Sequence, residues 1–279
     1  MKFASLAAGG YGLVDADGIR PMPESVLARY PTLRAALTAN MLSWAAEAAA
    51  AGEPVAHDQL ALLPTVPDAG KIICIGMNYR AHIKEMGREP PRYPAFFLRV
   101  NDSLVGHGQP VIRPRLSQKF DWEGELAVVI GRPARHVARA DALDYVAGYT
   151  ILQDGSLRDY QEHTSQFTAG KNFHQSGAMG PWLVTADEIP DPAGLTLETR
   201  VSGEVMQRGE LADLCIDVPA ILEYLSGIFE LLPGDVIATG TPSGVGAGRK
   251  PPRWLVAGDV VEVEISGIGV LRNPVVDED

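Results

Sequence analysis

From Lys71 onward, eight short apolar segments follow one another, separated by Gly and Pro, with only one strong helix among them. They are KIICIGM, AFFLRV, GELAVVIG, VAGYTIL, GPWLVT, LTLETRV, DVIATG and DVVEVEI, all rich in β-branched and aromatic residues. Parallel strands need crossover helices to join them and cover their faces. So many strands with so few helices argue against a doubly wound sheet. The expected architecture is mixed, mostly antiparallel and closed on itself. The lone strong helix is expected over about 217–232, with Val218, Ile221, Leu222, Leu225 and Phe229 on one side and Gly234 as its stop.

Residues 1–66 read as a small leading unit. YGLVDADGIRPM suggests a hairpin with its turn at Asp17-Gly18. A helical, Ala-rich stretch follows from about Ser25 to Ala51, interrupted at Pro31. Leu33, Leu37, Met41, Trp44 and Ala48 recur at spacings of three or four and give it one apolar face. LLPTVPDAG, with Pro64, Pro67 and Gly70, marks the boundary to a larger domain over 67–279. The fold class expected is α+β.

Composition removes several partner classes. Thirty-five acids against 24 bases give a net charge of −11, and no Lys/Arg cluster stands out, so a nucleic-acid groove is excluded. No apolar run approaches the length of about eighteen residues needed to cross a membrane. Cys74 and Cys215 are too few for a disulfide framework or a cysteine-based zinc site. The opening MKFASLAAGGYG makes a poor signal peptide, so a reducing cytoplasm is the expected setting.

The sharpest chemical feature is Asp121-Trp-Glu123-Gly-Glu125, running straight into Leu-Ala-Val-Val-Ile. Period-two alternation puts Glu123 and Glu125 on one face of a strand and Gly124 on the other. Adjacent like charges leading into a buried strand are costly unless neutralised, and a hard divalent cation does that through carboxylate oxygens. The plain alternative is an exposed edge strand with solvated acids. Asp154 is a third acid, at the end of the apolar YTILQD, although it can equally cap a helix beginning in LRDYQEH. In that helix Arg158 and Gln161 share a face. Arg158 suits a substrate carboxylate and Gln161 a substrate oxygen, or Arg158 simply pairs with Asp159 or Glu162.

In Asn78-Tyr-Arg-Ala-His82-Ile-Lys-Glu85-Met-Gly87, helical spacing lets Glu85 bond His82, fix its tautomer and raise its basicity. Such a pair can activate water, although a surface pair is the commoner use of this spacing. Flanking Gly76, Gly87, Pro90 and Pro91 would let the segment move as a lid. Lys171, in Gly170-Lys-Asn-Phe173, either binds a substrate oxygen or is a solvated charge. The TGTPSGVG stretch follows a strand and offers backbone N–H groups and the Thr241 hydroxyl. No helix succeeds it, which rules out a dinucleotide fingerprint. The remaining histidines have no zinc-site spacing.

Taken in order, NYRAHIKEMG, FDWEGELAVVIGRP, YVAGYTILQDGSLRDYQ, GKNF, GPWLVT, LLPGDVIATGTPSGVG and GDVVEVEISGIGVLRNPV resemble the fumarylacetoacetate hydrolase family over roughly Lys71 to Val276. The resemblance implies a mixed β-roll catalytic domain, a small N-terminal α/β domain, a Mg²⁺ or Mn²⁺ site and a homodimer; Ca²⁺ also suits such oxygens. It implies that Glu123, Glu125 and Asp154 hold the metal and that His82 and Glu85 form a water-activating dyad. Lys171 then contacts the reacting keto-enol system, and Arg158, Gln161 and Thr241 contact substrate. Three departures stand out: Gln153 in place of the usual Asn, Gly155-Ser156-Leu157 in place of V-S-A, and Arg99 where many members carry Lys.

The implied reaction is metal-dependent hydrolysis of a C–C bond in a β-diketo acid of acylpyruvate, fumarylpyruvate or 2,4-diketo acid type, as in aromatic-ring or sugar-acid catabolism. The alternatives on the same site are an oxaloacetate-type decarboxylase or tautomerase, or a 2-hydroxydienoate hydratase or isomerase. A structural Ca²⁺ protein would leave Lys171 and the His82–Glu85 pair without a role.

Overall fold

The computed structural model describes residues 1–279. Each of the eight apolar segments contains a strand: Ile72–Gly76, Ala95–Arg99, Gly124–Ile130, Val146–Gln153, Gly177–Thr185, Thr196–Val201, Val236–Ala238 and Val260–Ile265. They divide between two sheets.

Across the large sheet the order is Gly18–Pro21, Tyr11–Asp15, Lys2–Ser5, Gly177–Thr185, Val146–Gln153, Gly124–Ile130, Val236–Ala238, Ile72–Gly76 and Ala95–Arg99. Most neighbours are antiparallel, but Val236–Ala238 runs parallel to Ile72–Gly76. The smaller sheet orders Glu204–Glu210, Thr196–Val201, Val260–Ile265, Gly269–Asp277 and Val111–Arg113. The mixed α+β class is as expected, but closure is not. Both sheets keep free edges, because stacking one on the other already buries their apolar faces.

The central strand Gly124–Ile130 shows how. Leu126, Val128 and Ile130 pack with Leu197, Val201, Val261 and Val263 of the smaller sheet. Ala127 and Val129 point the other way, into a second core with Leu33, Ala36, Leu37, Ala45 and Ala49 of the N-terminal helices. A strand covered on both faces reads as a continuous apolar run, which explains LAVVI. The N-terminal hairpin also joins this sheet, because Lys2–Ser5 pairs antiparallel with Gly177–Thr185.

Three local expectations change. The hairpin turn is Ala16-Asp17, with Asp15 paired to Gly18 and Asp15 Oδ1 accepting from the Asp17 N–H at 2.9 Å. Gly18 belongs to the strand; a Cβ there would meet the Val55 carbonyl oxygen at 2.4 Å. The N-terminal helical stretch is three helices, Glu24–Leu27, Leu33–Thr38 and Leu42–Ala50. Asn40, at φ 55°, breaks the run and resets its phase, so Ala45, Ala46 and Ala49 are buried where Trp44 and Ala48 were expected. That face is covered within the chain and is no free surface for a partner. The long helix is Val218–Ile228, capped by Asp217 accepting from the Ala220 N–H at 2.9 Å. It ends at extended Phe229, and Gly234 instead turns the chain into Val236–Ala238.

Candidate active site and metal centre

Glu123 stands immediately before strand Gly124–Ile130, Glu125 is its second residue, and Asp154 directly follows Val146–Gln153. Those strands are antiparallel neighbours with Gln153 opposite Gly124, and Asp154 N–H donates to the Glu123 carbonyl at 2.8 Å. The register therefore brings the three carboxylates together, each with an oxygen within 4.8 Å of the others, all buried. Asp154 caps no helix: the helix Arg158–Gln161 begins after Leu157. A Cβ on Gly124 would point at Thr199 and Val263 of the smaller sheet, away from the acids.

Lys171 lies among these acids, 1% exposed, with Nζ donating to Glu123 Oε2 and to Asp154 Oδ2, both at 2.6 Å. Burial alone would lower its pKa, but Asp154 and Glu123 raise it above its usual value, so it stays an ammonium. Arg158 ion-pairs Asp121 and Glu123, both at 2.7 Å, and donates to Gln161 Oε1 at 2.9 Å. Its partner is thus neither Asp159 nor Glu162. Arg99 Nη1 holds Asp154 Oδ1 at 2.5 Å and is anchored by Ser103 and Ser176.

The acids differ in what compensates them. Burial raises Glu123, yet Lys171, Arg158 and His82 together bring it down to about 2. Glu125 is pushed well above the carboxylate range by burial and then by Asp154 and Glu123, with the Gly240 N–H at 2.8 Å the one hydrogen bond to its carboxylate. A divalent cation held by Glu123, Glu125 and Asp154 would supply the positive charge that Glu125 lacks. Three convergent, buried carboxylates are a hard-oxygen donor set, and the site fits Mg²⁺ or Mn²⁺ on that ground.

The helix Arg80–Glu85 closes one side. Asn78 roots it, its side-chain amide donating to the Ile216 and Thr239 carbonyls at 2.9 and 2.8 Å. His82 Nδ1 lies 3.1 Å from Glu85 Oε2, and Glu85 Oε1 accepts from the Gly244 N–H at 2.9 Å. Glu85 therefore orients the imidazole and also ties the helix to the TPSGVG loop. His82, Lys171, Arg158, Gln161, Thr241 and the three acids all line one cleft. Thr241 Oγ1 donates to the Gly124 carbonyl at 3.0 Å and accepts from Gln207 Nε2 at 2.8 Å, so its hydroxyl proton is already committed within the protein.

Two contributors escaped the sequence reading. Asp121 accepts from the N–H groups of Gly246 and Ala247 at 2.7 and 3.0 Å while holding Arg158. Its place two residues before Glu123 was the available signal. Arg99, noted only as a departure, is an ion-pair partner of Asp154 and stands outside the cleft lining.

This fold and this constellation match a known family. Residues 71–276 match the fumarylacetoacetate (FAA) hydrolase C-terminal model, and the chain belongs to that family. It is 44% identical over 214 residues, 75% of this chain and 71% of the relative, to the oxaloacetate tautomerase YisK of Bacillus subtilis. Fumarylacetoacetate hydrolase from Exiguobacterium antarcticum superposes with a TM-score of 0.87 at 35% identity, over 100% of both chains. Maleylpyruvate hydrolase of Sphingobium sp. SYK-6, solved with a manganese(II) ion and pyruvate, does so with 0.84 at 30% identity, again over 100% of both. Members of the family are thus hydrolases and tautomerases acting from one scaffold.

Proposed function

We propose that this chain is a divalent-metal-dependent enzyme of 2-oxo acids, loaded with Mg²⁺ or Mn²⁺, that hydrolyses a C–C bond of a β-diketo acid. The carrying observation is that the three-carboxylate cradle and His82 line one cleft, with Glu85 bonded to His82 from behind. A bound divalent cation supplies Lewis-acid polarisation of the 2-oxo acid. The manganese and pyruvate in the Sphingobium maleylpyruvate hydrolase support that choice of ligand.

The chain's own groups divide the remaining work. Lys171 holds a buried positive charge where the substrate's keto-enol oxygen gathers negative charge, and fixed charge in a dry site is usually the largest catalytic term. Glu85 accepts a hydrogen bond from the Nδ1–H of His82, which leaves the Nε2 lone pair to accept a proton from water. Arg158 occupies the oxygen of Gln161 and so leaves the Gln161 amide N–H groups for a substrate oxygen. Thr241 steadies the start of the strand that carries Glu125. A homodimer belongs to the proposal too, supported by the free edge strand Ala95–Arg99 with exposed Phe96 and Leu98.

One observation favours a second reading, keto-enol tautomerisation of oxaloacetate: the 44% identity to an oxaloacetate tautomerase. That reaction needs the metal and Lys171 but no attack by water. The two separate cleanly when acylpyruvates, fumarylpyruvate, 2,4-diketo acids and oxaloacetate are offered with Mg²⁺ or Mn²⁺. Products are identified by mass and oxaloacetate ketonisation is followed by absorbance. Cleavage to pyruvate-type products supports hydrolysis. Ketonisation without cleavage moves the assignment to the tautomerase.

A further inference from the structure

Four positively chargeable side chains line the cleft, and three are paired. Lys171 binds Glu123 and Asp154, Arg158 binds Asp121 and Glu123, and His82 meets Glu85. Arg88 is the fourth and has no carboxylate within 4.0 Å; its one side-chain polar contact is Met77 Sδ, 4.0 Å from Nη1. Its position is nonetheless defined. It follows the helix Arg80–Glu85 through Gly87, and its N–H donates to the Ile83 carbonyl at 3.0 Å. The guanidinium lies over the Phe167 ring, 5.5 Å from the centroid. Phe167 in turn packs edge-on against Phe97 at 6.1 Å.

Arg88, Met77, Phe97 and Phe167 border both the inner cleft and the outer hollow continuous with it. The acids occupy the buried floor and Arg88 the exposed rim. An elongated ligand with its 2-oxo acid end on the floor therefore runs past apolar Ile83, Met86 and Phe97 and presents its far end to a free guanidinium. Glu162 is the one acid lining that outer hollow, and it forms no ion pair with Arg88.

We propose that Arg88 recognises a second, distal carboxylate and selects 2-oxo dicarboxylates over 2-oxo acids with an uncharged tail. This rests on the 2-oxo acid reading of the site and adds the specificity of its far end. A guanidinium fork matches a carboxylate in shape and charge, and such charge-assisted bonds change affinity by about ten- to a hundredfold. Glu162 opposes an anion there, so its neutralisation works in the other direction.

The test compares wild type with Arg88→Gln and Arg88→Lys, each loaded with Mn²⁺, on matched 2,4-dioxo acids ending in methyl or in carboxylate at several chain lengths. The wild type is expected to favour the carboxylate-ended member at one length or more. In Arg88→Gln the ratio of kcat/KM within that pair falls about ten- to a hundredfold, mostly through KM, and Arg88→Lys recovers part of it. Glu162→Gln raises the same ratio. A ratio unmoved by Arg88→Gln overturns the proposal. A calorimetric titration of the Mn²⁺-loaded proteins with unreactive 2-oxo acids, with and without a distal carboxylate, runs alongside. If no 2-oxo acid is turned over by wild type, the reading of the reaction fails, and the titration still decides Arg88. Equal dicarboxylate binding by wild type and Arg88→Gln rejects its role.

Discussion

The chain carries Glu-x-Glu on two prominent strands, at Glu123–Glu125 and at Glu262–Glu264, and the two pairs meet opposite environments. Glu262 and Glu264 lie on the solvent face of the smaller sheet, their side chains 24% and 49% exposed, sharing Arg200 at 3.4 and 2.8 Å. Glu123 and Glu125 are buried beside Asp154 with Lys171 and Arg158 around them. The difference lies in the strand that carries each pair. DVVEVEI alternates, with Val261, Val263 and Ile265 inward and the acids outward. LAVVI after Glu125 is covered on both faces, so acids at its head are withdrawn from bulk water at the floor of the cleft. A repeated carboxylate pattern becomes a site where burial forces its charges to find partners.

The largest effect that can break this contrast is loss of a floor carboxylate. Glu123→Ala, Glu125→Ala or Asp154→Ala is expected to lower metal-dependent kcat/KM by about a thousandfold or more, several kcal/mol of transition-state stabilisation. Circular dichroism should still report the β-fold. Activity surviving in saturating chelator would contradict the cradle.

Next comes His82→Ala, which is expected to cost about a hundred- to ten-thousandfold in turnover with KM little changed. Glu85→Gln should be milder, since the amide oxygen can still accept from Nδ1–H and orient His82. Full hydrolytic turnover by His82→Ala would remove it as the base.

Metal-linked stability sharpens the comparison further. Mn²⁺ at about a hundred times its Kd should raise the unfolding free energy of wild type by about 2.7 kcal/mol. Glu125→Gln should abolish that gain in a thermal melt, and a melt that responds to Mn²⁺ equally in both proteins would place the ion elsewhere.

Much of this contrast was legible beforehand. Alternation put Glu123 and Glu125 on one face, YTILQD put Asp154 at a strand end, and helical spacing paired His82 with Glu85. What stayed hidden depends on register between distant segments. Nothing local joins Arg99 to Asp154 across 55 positions, or Asp121 to the N–H groups of Gly246 and Ala247. The helical phase failed at Asn40 because one residue in the left-handed region rotates everything after it. Sheet closure failed because stacking two sheets satisfies the same apolar pattern.

Asp259 stands between the two extremes. It is nearly buried, holds Arg253 with both oxygens at 2.7 Å, and accepts from Ser202 Oγ and the Val256 N–H. Burial raises its pKa, but Arg253, Val256 and Ser202 outweigh that and hold it below the usual carboxylate range. Its stabilisation is therefore complete above its unfolded pKa of about 4 and is lost as pH falls through the lower folded value. Asp259→Asn should cost about 1–3 kcal/mol at pH 7, moderated because Arg253 is 37% exposed, with the gap to wild type closing in acid. A gap independent of pH would mean that packing, and not charge, is lost. Smallest of all, Glu264→Gln should change stability by less than about 1 kcal/mol and leave turnover untouched, and high salt should erase even that.

The most direct measurement is calorimetric titration with Mn²⁺ of wild type, Glu125→Gln, Asp154→Asn and the double variant Glu262→Gln/Glu264→Gln. One ion per chain is expected for wild type and for the double variant, and none for Glu125→Gln or Asp154→Asn. Undiminished binding in the two cleft variants, or loss confined to the Glu262/Glu264 variant, would show that the buried acids are not the metal site.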